Sequence, residues 1–390
     1  MKLSFTRIVT VLVVFICGVG TASAADTVYV QVPVQVTSAA PAKPAKLKPK
    51  FLYNVDFLFF FDNREYDKCP YQRSQTLFGA RLSPEIGVGI ADSTIGDHRL
   101  MAGCSYVQPI GADYKNAKVL PTIYYQYGYK GFKAHLGLLP FTKMIEDFPD
   151  YLQYDSIAYF HPNIQGALFN YRDRRGFVEL MCDWRGMWSE TTREAFRVTI
   201  NGRYEHKWFF VGGRAMMNHL ACYSPEYKGG PQPGVCDDLL GSAYVGFNIG
   251  KVTPLDSFVV RASYLISMQN DRDADIHKMP QGGLLEIFLR WRWIGFRNVT
   301  YYGEPQMPLY PKYHSLLNQG DPFYQARFYN RTDIFFYIFN NSFVNCFASA
   351  NFHLADGYFV TQQQIVAQFS LDGVWGFRNN KHKLRTILGK

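Results

Sequence analysis

The feature that most constrains the fold is a strict two-residue alternation of apolar and other side chains, clearest between Leu284 and Ile294. Every odd-numbered position from Leu285 to Trp293 is apolar, whereas the even-numbered positions include Glu286, Arg290 and Arg292. A β-strand places successive side chains on opposite faces, so this stretch predicts a strand with one apolar face. A strand of a soluble sandwich has the same pattern, so the fold depends on whether the alternation recurs.

The alternation recurs along most of the chain, and few segments have a helical period. Apolar positions alternate in this way at 51–61, 121–129, 132–138, 178–184, 196–204, 258–266 and 365–371. Beyond the first 24 residues no apolar run approaches the length of a membrane-spanning helix. The pattern therefore indicates either a secreted soluble β-protein or a membrane protein built from strands.

The connections between these segments alternate between short and long. Short links are predicted at 129–131, 173–175, 205–207 and 294–295, and long links at 141–163, 219–237, 269–282 and 303–322. Strands that cross an outer membrane have short periplasmic turns and long external loops, whereas a soluble sandwich has no reason to sort its loops. The sequence therefore predicts an all-β fold, a transmembrane antiparallel up-and-down β-barrel of about 16 strands, with a range of about 14–18.

The amino-terminal 24 residues have the features of an export signal. Lys2 and Arg7 precede an apolar run from Ile8 to Val19, and Ala22-Ser23-Ala24 provides small residues for cleavage. The run has about 12 residues, against the roughly 20 that a helix needs to span a bilayer, so a cleaved signal is favoured over an uncleaved anchor. The predicted localisation is the bacterial outer membrane.

The predicted organisation has four parts. These are a signal peptide at 1–24, an Ala/Pro/Lys periplasmic linker at 25–50, the barrel at 51–377 and a basic tail at 378–390. The net charge of +9 is compatible with nucleic acid, but an exported chain rarely meets it. The predicted partners are therefore outer-membrane lipid and lipopolysaccharide, together with small polar or anionic solutes.

If the apolar faces contact lipid, the opposite faces line a lumen. An Arg on the lipid side at mid-membrane costs about 2–4 kcal/mol, so inward placement follows once a barrel is accepted. The predicted pore-lining and selectivity residues are Arg185, Arg197, Arg203, Arg261, Arg290, Arg292, Glu179, Asp183 and Glu286. An Arg-rich wall favours anions. The alternative is that Arg and acidic residues pair across strands and fill the lumen. Arg290 and Arg292 are expected near the periplasmic mouth, because a tight turn follows them.

The sequence predicts no enzyme activity, no metal and no cofactor. The best catalytic candidates are Ser349, Asn351 and His353, which share one face of a predicted strand. Neighbours on such a face are about 7 Å apart, so Ser349 and His353 stand about 13 Å apart and cannot share a hydrogen bond. A triad would need a partner from another strand.

Metal-binding and disulfide patterns are weak. Asp271, Asp273 and Asp275 have the spacing that begins a calcium loop, but the Gly and Glu of an EF-hand are missing from the positions that follow. Cys222 and Cys236 bracket a Pro- and Gly-rich segment. They either form a disulfide or are two unrelated thiols.

The alternation and the export signal resemble those of Gram-negative outer-membrane porins and porin-like barrels over most of residues 51–377. The run from Asp155 to Gly166 is also similar to segments in uncharacterised barrels of the Bacteroidota. Porin membership implies passive diffusion of small polar solutes, often through a homotrimer. The expected function is thus a channel for small polar or anionic solutes. The alternatives are a structural or binding barrel with a filled lumen and a barrel hydrolase that acts on lipid.

Overall fold

The computed structural model describes residues 48–374, which form a closed antiparallel β-barrel. The predicted signal peptide, the predicted tail and most of the predicted linker lie outside these residues. The strands are β1 (Lys50–Glu65), β2 (Gln75–Asp92), β3 (Gly96–Pro109), β4 (Lys118–Tyr129), β5 (Phe132–Pro140), β6 (Asn163–Arg172), β7 (Gly176–Gly186), β8 (Ala195–His206), β9 (Phe209–Leu220), β10 (Cys236–Asn248), β11 (Ser257–Asp271), β12 (Ile276–Lys278), β13 (Gln281–Trp291), β14 (Ile294–Gly303), β15 (Phe328–Asn340), β16 (Val344–Ala355) and β17 (Tyr358–Val374).

Sixteen of these strands form the wall, each hydrogen-bonded to its neighbours in chain order, and β1 pairs with β17 to close it. The three-residue β12 is an extra strand that pairs with the end of β11. Closure leaves no free sheet edge in the wall. The predicted fold class and strand number are confirmed.

The helical segments are short. They are α1 (Asp155–Phe160), α2 (Tyr310–Tyr313) and single 3₁₀ turns at Tyr114–Asn116, Phe141–Lys143, Gly250–Val252, His314–Leu316 and Pro322–Gln325. None of the helices between residues 48 and 374 is long and apolar enough to cross a membrane. Both α-helices belong to connections between strands.

Connections at the two ends of the barrel differ in length. One end carries 66–74, 110–117, 141–162, 187–194, 221–235, 272–280, 304–327 and the short turn 356–357. The other end carries 93–95, 130–131, 173–175, 207–208, 249–256, 292–293 and 341–343. The long loops identify the first end as external and the short turns identify the second as periplasmic. The sorting of loop lengths predicted from the sequence is therefore present, with two exceptions, at 249–256 and 356–357.

The turn predicted at Ile294-Gly295 lies two residues earlier. Trp291 pairs with Ile294, so Arg292 and Trp293 form the turn, with Arg292 in the left-handed region at φ 53°. Such two-residue hairpins require positive φ. Gly295 instead lies inside β14, where an added Cβ would stand 3.0 Å from the Tyr337 ring. The glycine therefore serves packing in the lumen rather than the turn.

The outward face of the barrel is apolar. Leu285, Trp291 and Trp293 are 42%, 50% and 57% exposed, and the two tryptophans lie at the periplasmic end as predicted. Trp184 and Trp188 are half exposed at the external end. Aromatic residues at both ends of an apolar band are typical of outer-membrane barrels. The hydrophobic core lies inside the barrel, where side chains of loops 141–162 and 304–327 pack against the wall.

Candidate functional site

Loop 141–162 lies within the lumen and contacts several sides of the wall. The Glu146 carboxylate binds Arg203 on β8 and Arg214 on β9, the latter at 2.8 Å. Asp150 binds Arg297 on β14 at 2.8 Å and Arg331 on β15 at 3.3 Å. The ring of Tyr159 stacks on Phe60 of β1 at 4.3 Å between centroids. These contacts fasten the loop across the barrel.

Loop 304–327 closes the external part of the lumen from the opposite side. The Arg185 guanidinium of β7 donates to the carbonyl oxygen of Leu316 at 2.9 Å. The carboxylate of Asp238 on β10 accepts from Asn318 at 2.8 Å, and Gln269 of β11 accepts from the Leu309 N–H at 2.8 Å. The Tyr154 N–H donates to the carbonyl oxygen of Gln319, which joins the two loops.

Most of the predicted pore-lining residues do face inward, and they are paired. Arg197 binds Asp183 at 3.1 Å, and Arg261 donates to Glu286 at 2.6 Å. Glu179 accepts the backbone N–H of Ile145. Arg203 binds both Glu146 and Glu205, and Arg185 donates to loop carbonyls as above. The arrangement matches the alternative in which Arg and acidic residues pair and fill the lumen.

The last two predicted arginines differ from these. Arg290 lies near the periplasmic end of β13, 4.0 Å from the Asp256 carboxylate and over the Tyr337 ring at 5.1 Å. Arg292 is not on the wall, because it occupies the turn and lies over the ring of Trp291 at 5.2 Å. The placement of Arg292 in the lumen was wrong because the turn begins one residue after Trp291.

Two cavities flank the loops. An external cavity of about 830 Å³ lies among loops 66–74, 141–162 and 304–327. A cavity of about 560 Å³ on the periplasmic side lies below loop 141–162 and reaches Lys207 and Trp208 of the β8–β9 turn. No residue lines both cavities.

The sequence-derived catalytic candidates are buried and do not meet. Ser349 and Asn351 both donate to the Gln364 side-chain oxygen, at 3.4 and 2.9 Å. His353 bonds to Tyr329 at 2.9 Å through Nδ1 and to Gln362 at 3.0 Å through Nε2. Both ring nitrogens of His353 are therefore used within the lumen, away from any lipid.

Cys222 and Cys236 are both free thiols, so the disulfide alternative is wrong. Cys236 faces inward and packs in an apolar cluster with Leu220 and Leu309. Burial in that cluster accounts for its presence as a small apolar residue. Among residues 48–374 no group of three His, Cys, Asp or Glu side chains is arranged to hold a metal ion.

A different set of candidate side chains lies on the outward face near the external end. Strand register places Trp184 opposite Phe196, Phe196 opposite His219 and His219 opposite Asp237, in one row across β7 to β10. The Trp184 and Phe196 rings stack at 5.0 Å, and the Phe196 and His219 rings lie 4.8 Å apart. We call this set the outer row.

His219 and Asp237 form a hydrogen-bonded pair within the outer row. His219 Nδ1 lies 2.7 Å from Asp237 Oδ1, and Arg272 lies 3.0 Å from Asp237 Oδ2. The inward neighbours Asn218 and Leu220 are fully buried, so His219 points to the membrane side. The His219 and Asp237 side chains remain 20% and 13% exposed, and Arg272 is 60% exposed.

The chemistry of the pair follows from its hydrogen bond. An ionised carboxylate only accepts, so Nδ1 of His219 carries the proton and Nε2 keeps its lone pair. Among the described residues, Asp237 is the only hydrogen-bond partner of the His219 ring. In this tautomer the ring has an unprotonated nitrogen, which is the group that a general base requires.

Sequence reasoning missed this pair because it assigned 219–237 to a loop. β9 in fact continues to Leu220 and β10 begins at Cys236, which brings both residues into strands. A signal was present in the sequence. The outward positions Val211, Ala215 and Met217 lead by twos to His219, a titratable residue on an otherwise apolar face.

The chain is similar to known proteins over most of its length. Residues 42–370 match the family described as Lipid A 3'-O-deacylase-type. Among solved structures, the in-vitro folded trimer form of OmpT, an outer membrane protein of Vibrio cholerae, is 8% identical with a TM-score of 0.49, covering 83% of this chain and 99% of that one. A triple mutant of the Rhodopseudomonas blastica porin is 10% identical with a TM-score of 0.47, covering 82% and 100%. No curated protein matches the chain.

Proposed function

The chain belongs to the Lipid A 3'-O-deacylase-type family, and from this premise we propose that it hydrolyses an ester-linked acyl chain of a lipid A-type glycolipid in the outer leaflet. The protein is a β-barrel of the bacterial outer membrane, which confirms the predicted localisation. The family is an enzyme family, so the prediction that the chain is not an enzyme is wrong. That prediction considered catalytic residues along one strand and did not consider the outer face across several strands.

The observation that carries the proposal is the His219–Asp237 pair on the membrane side of the barrel. Ester bonds of a lipid lie at the boundary between headgroups and acyl chains, close to the aromatic residues that mark the interface. Trp184 and Phe196 lie beside the pair at the external end. A substrate that stays in the outer leaflet can therefore reach His219 without entering the lumen.

The pair supports hydrolysis by general base catalysis. His219 Nε2 takes a proton from water as the water oxygen attacks the ester carbonyl, and the imidazolium then gives that proton to the departing alkoxide. The acyl–oxygen bond breaks, which leaves a free fatty acid and a hydroxyl on the lipid. Asp237 stabilises the imidazolium, and Arg272 holds the second oxygen of Asp237. Water serves as the nucleophile in this proposal, since the hydrogen-bond partner of His219 within residues 48–374 is Asp237.

The test is acyl release from purified lipopolysaccharide by refolded protein in mixed micelles, followed by mass spectrometry of the lipid product. We expect the wild type to remove one acyl chain, and His219→Gln to be slower by roughly 10²–10⁴-fold. The matched control is His98→Gln, because His98 is the outward histidine at the periplasmic end and bonds to Tyr125 at 2.6 Å. Full activity in His219→Gln would place the site elsewhere, and no release by the wild type would refute the proposal.

Passive diffusion of small polar or anionic solutes is the competing proposal. Sixteen strands enclose a lumen wide enough for water. Loops 141–162 and 304–327 occupy that lumen, and its arginines are paired, which supports a filled barrel instead. We therefore expect planar-bilayer recordings of the refolded protein to lack conductance steps, and regular steps would favour the channel.

A further inference from the structure

The external cavity has no role in the proposed hydrolysis at the outer row. Its wall comes from loop 66–74, α1 and the loop before it, and loop 304–327. Its volume of about 830 Å³ is within the range of small-molecule sites. The cavity opens at the external end of the barrel, between loop 66–74 and loop 304–327.

The lining of this cavity is polar but almost uncharged. With histidine counted as neutral, Arg73 is the only charged side chain of the described lining. One guanidinium does not provide the cluster of cations that phosphate-rich ligands require. The polar groups are mainly amides and hydroxyls, from Gln75, Gln319, Gln325, Ser156 and Ser315. An aliphatic ligand would leave these groups without partners.

Several of the amides are fixed at one end and open at the other. Gln319 accepts from Arg197 at 2.9 Å through its oxygen, so its NH₂ group is left for a ligand. Gln325 donates to the Pro322 carbonyl at 3.0 Å, so its side-chain oxygen is left to accept. Gln72 accepts from Tyr154 at 2.6 Å and donates to Asp321 at 2.7 Å, which locks the neighbouring wall. Donors and acceptors are thus positioned in advance.

Aromatic rings complete the lining. Tyr310 is half-buried and its ring meets His314 edge to face at 5.6 Å. Tyr71 is held by a hydrogen bond from its hydroxyl to Asp356 at 2.7 Å. A ring face packs against C–H groups, while fixed amides and hydroxyls can both donate to and accept from hydroxyl groups.

We propose that the external cavity binds a neutral oligosaccharide. A saccharide has C–H faces for the Tyr310 and Tyr71 rings and hydroxyls that both donate and accept, and it needs no cationic cluster. The ligand is either a free glycan from outside the cell or the carbohydrate part of a glycolipid anchored in the same membrane. This binding does not depend on the His219–Asp237 pair.

Two probes separate these sources. Full-length protein in detergent is titrated with maltohexaose and, separately, with a lipid-free oligosaccharide of neutral sugars cleaved from the outer polysaccharide of lipopolysaccharide, and binding is followed by saturation-transfer NMR and calorimetry. Saturable binding of the lipopolysaccharide-derived oligosaccharide alone assigns the glycolipid source, and binding of maltohexaose assigns a free glycan. Absence of saturable binding for both probes overturns the proposal.

Variants locate the binding within the cavity. Tyr310→Ala is expected to weaken binding by about tenfold, whereas Tyr310→Phe, which keeps the ring, is expected to bind as the wild type does. Tyr223→Ala is the matched control, because Tyr223 stacks on Tyr227 at 4.1 Å in loop 221–235, outside the cavity lining. His219→Gln should bind normally. Unchanged binding in both Tyr310→Ala and Gln319→Ala would also overturn the proposal.

Discussion

Two pairs of side chains stand one residue apart on β9 and β10 and have opposite surroundings. Asn218 and Asp238 face the lumen and are fully buried, whereas His219 and Asp237 face the membrane and remain partly exposed. The Asp238 carboxylate accepts from Asn218, Gln269 and Asn318 at 2.8–2.9 Å. These three donors leave Asp238 no role in proton transfer, so the inward pair anchors loop 304–327.

The outward pair has the same strand geometry but different consequences. Asp237 lies opposite His219 in the register that sets Asp238 opposite Asn218. Because strand side chains alternate between faces, a shift of one residue moves a carboxylate from a sealed interior to the surface that meets lipid. The face of the barrel, rather than the residue type, therefore separates a sealed anchoring pair from a pair that lipid can reach in this part of the wall.

The largest effect is expected from breaking the outward pair. Asp237→Asn removes the carboxylate that orients His219 and stabilises its imidazolium, and acyl release should fall on the order of 10³-fold. Stability should change little. Fatty-acid release is measured by mass spectrometry, with Asp113→Asn as control, since Asp113 is a loop acid paired with Lys115. Activity near the wild-type level would remove Asp237 from the site.

Breaking the inward pair should act on stability instead. Asp238→Asn brings an NH₂ group against side chains that donate to the carboxylate, so the free energy of unfolding should fall by about 3 kcal/mol. Urea titration in detergent micelles, followed by tryptophan fluorescence, measures this change. Acyl release per folded molecule should stay near that of the wild type. If Asp238→Asn unfolds at the wild-type urea concentration, the anchoring role is refuted.

The anchored loop should also make stability depend on pH. Burial raises the pKa of the Asp321 carboxyl to about 7, with Arg331 opposing the rise and Asp150 and Asp155 adding to it. The folded state thus favours the protonated form, so the stabilisation is full at low pH and is lost as the pH rises towards 7. The slope is at most about 1.4 kcal/mol per pH unit.

Asp321→Asn isolates this effect, because the amide oxygen can still accept from Gln72 and the Phe323 N–H. Between pH 5 and pH 7.5 we expect the urea midpoint of the wild type to fall more than that of Asp321→Asn. Parallel curves for the two proteins would contradict the assignment of the pH dependence to Asp321. The rate of acyl release should depend on pH in the same way in the wild type and in Asp321→Asn.

The smallest effect concerns Arg272, which supports the outward pair from an exposed position. Exposed ion pairs contribute about 0.2–1 kcal/mol, so Arg272→Ala should slow acyl release only a few-fold. The loss of activity in Arg272→Ala should be smaller at high salt, because salt screens the Arg272–Asp237 ion pair in the wild type as well. A loss as large as that of Asp237→Asn would mean that Arg272 contacts the substrate itself.

Much of the barrel could be predicted from local pattern. The alternation around Leu285, together with the sorting of loop lengths, predicts the strand number, the closed antiparallel fold and the membrane-facing surface. These features are determined locally, because a strand's two faces follow from successive residues. The wrong placement of Arg292 also has a local cause, since Gly295 was taken as a turn residue but is required for packing beside Tyr337.

The sequence by itself thus determined, for the segments with clear alternation, which side chains face lipid and which face the lumen. Only the tertiary structure decided what those side chains meet. Loop 141–162 folds inward and pairs Asp150 with Arg297, 147 positions away, and the β9–β10 register sets His219 against Asp237. Such partners depend on loop path and on register between strands. Neither is encoded in the period of a single strand. The filled lumen and the outer row are therefore visible only in the tertiary structure.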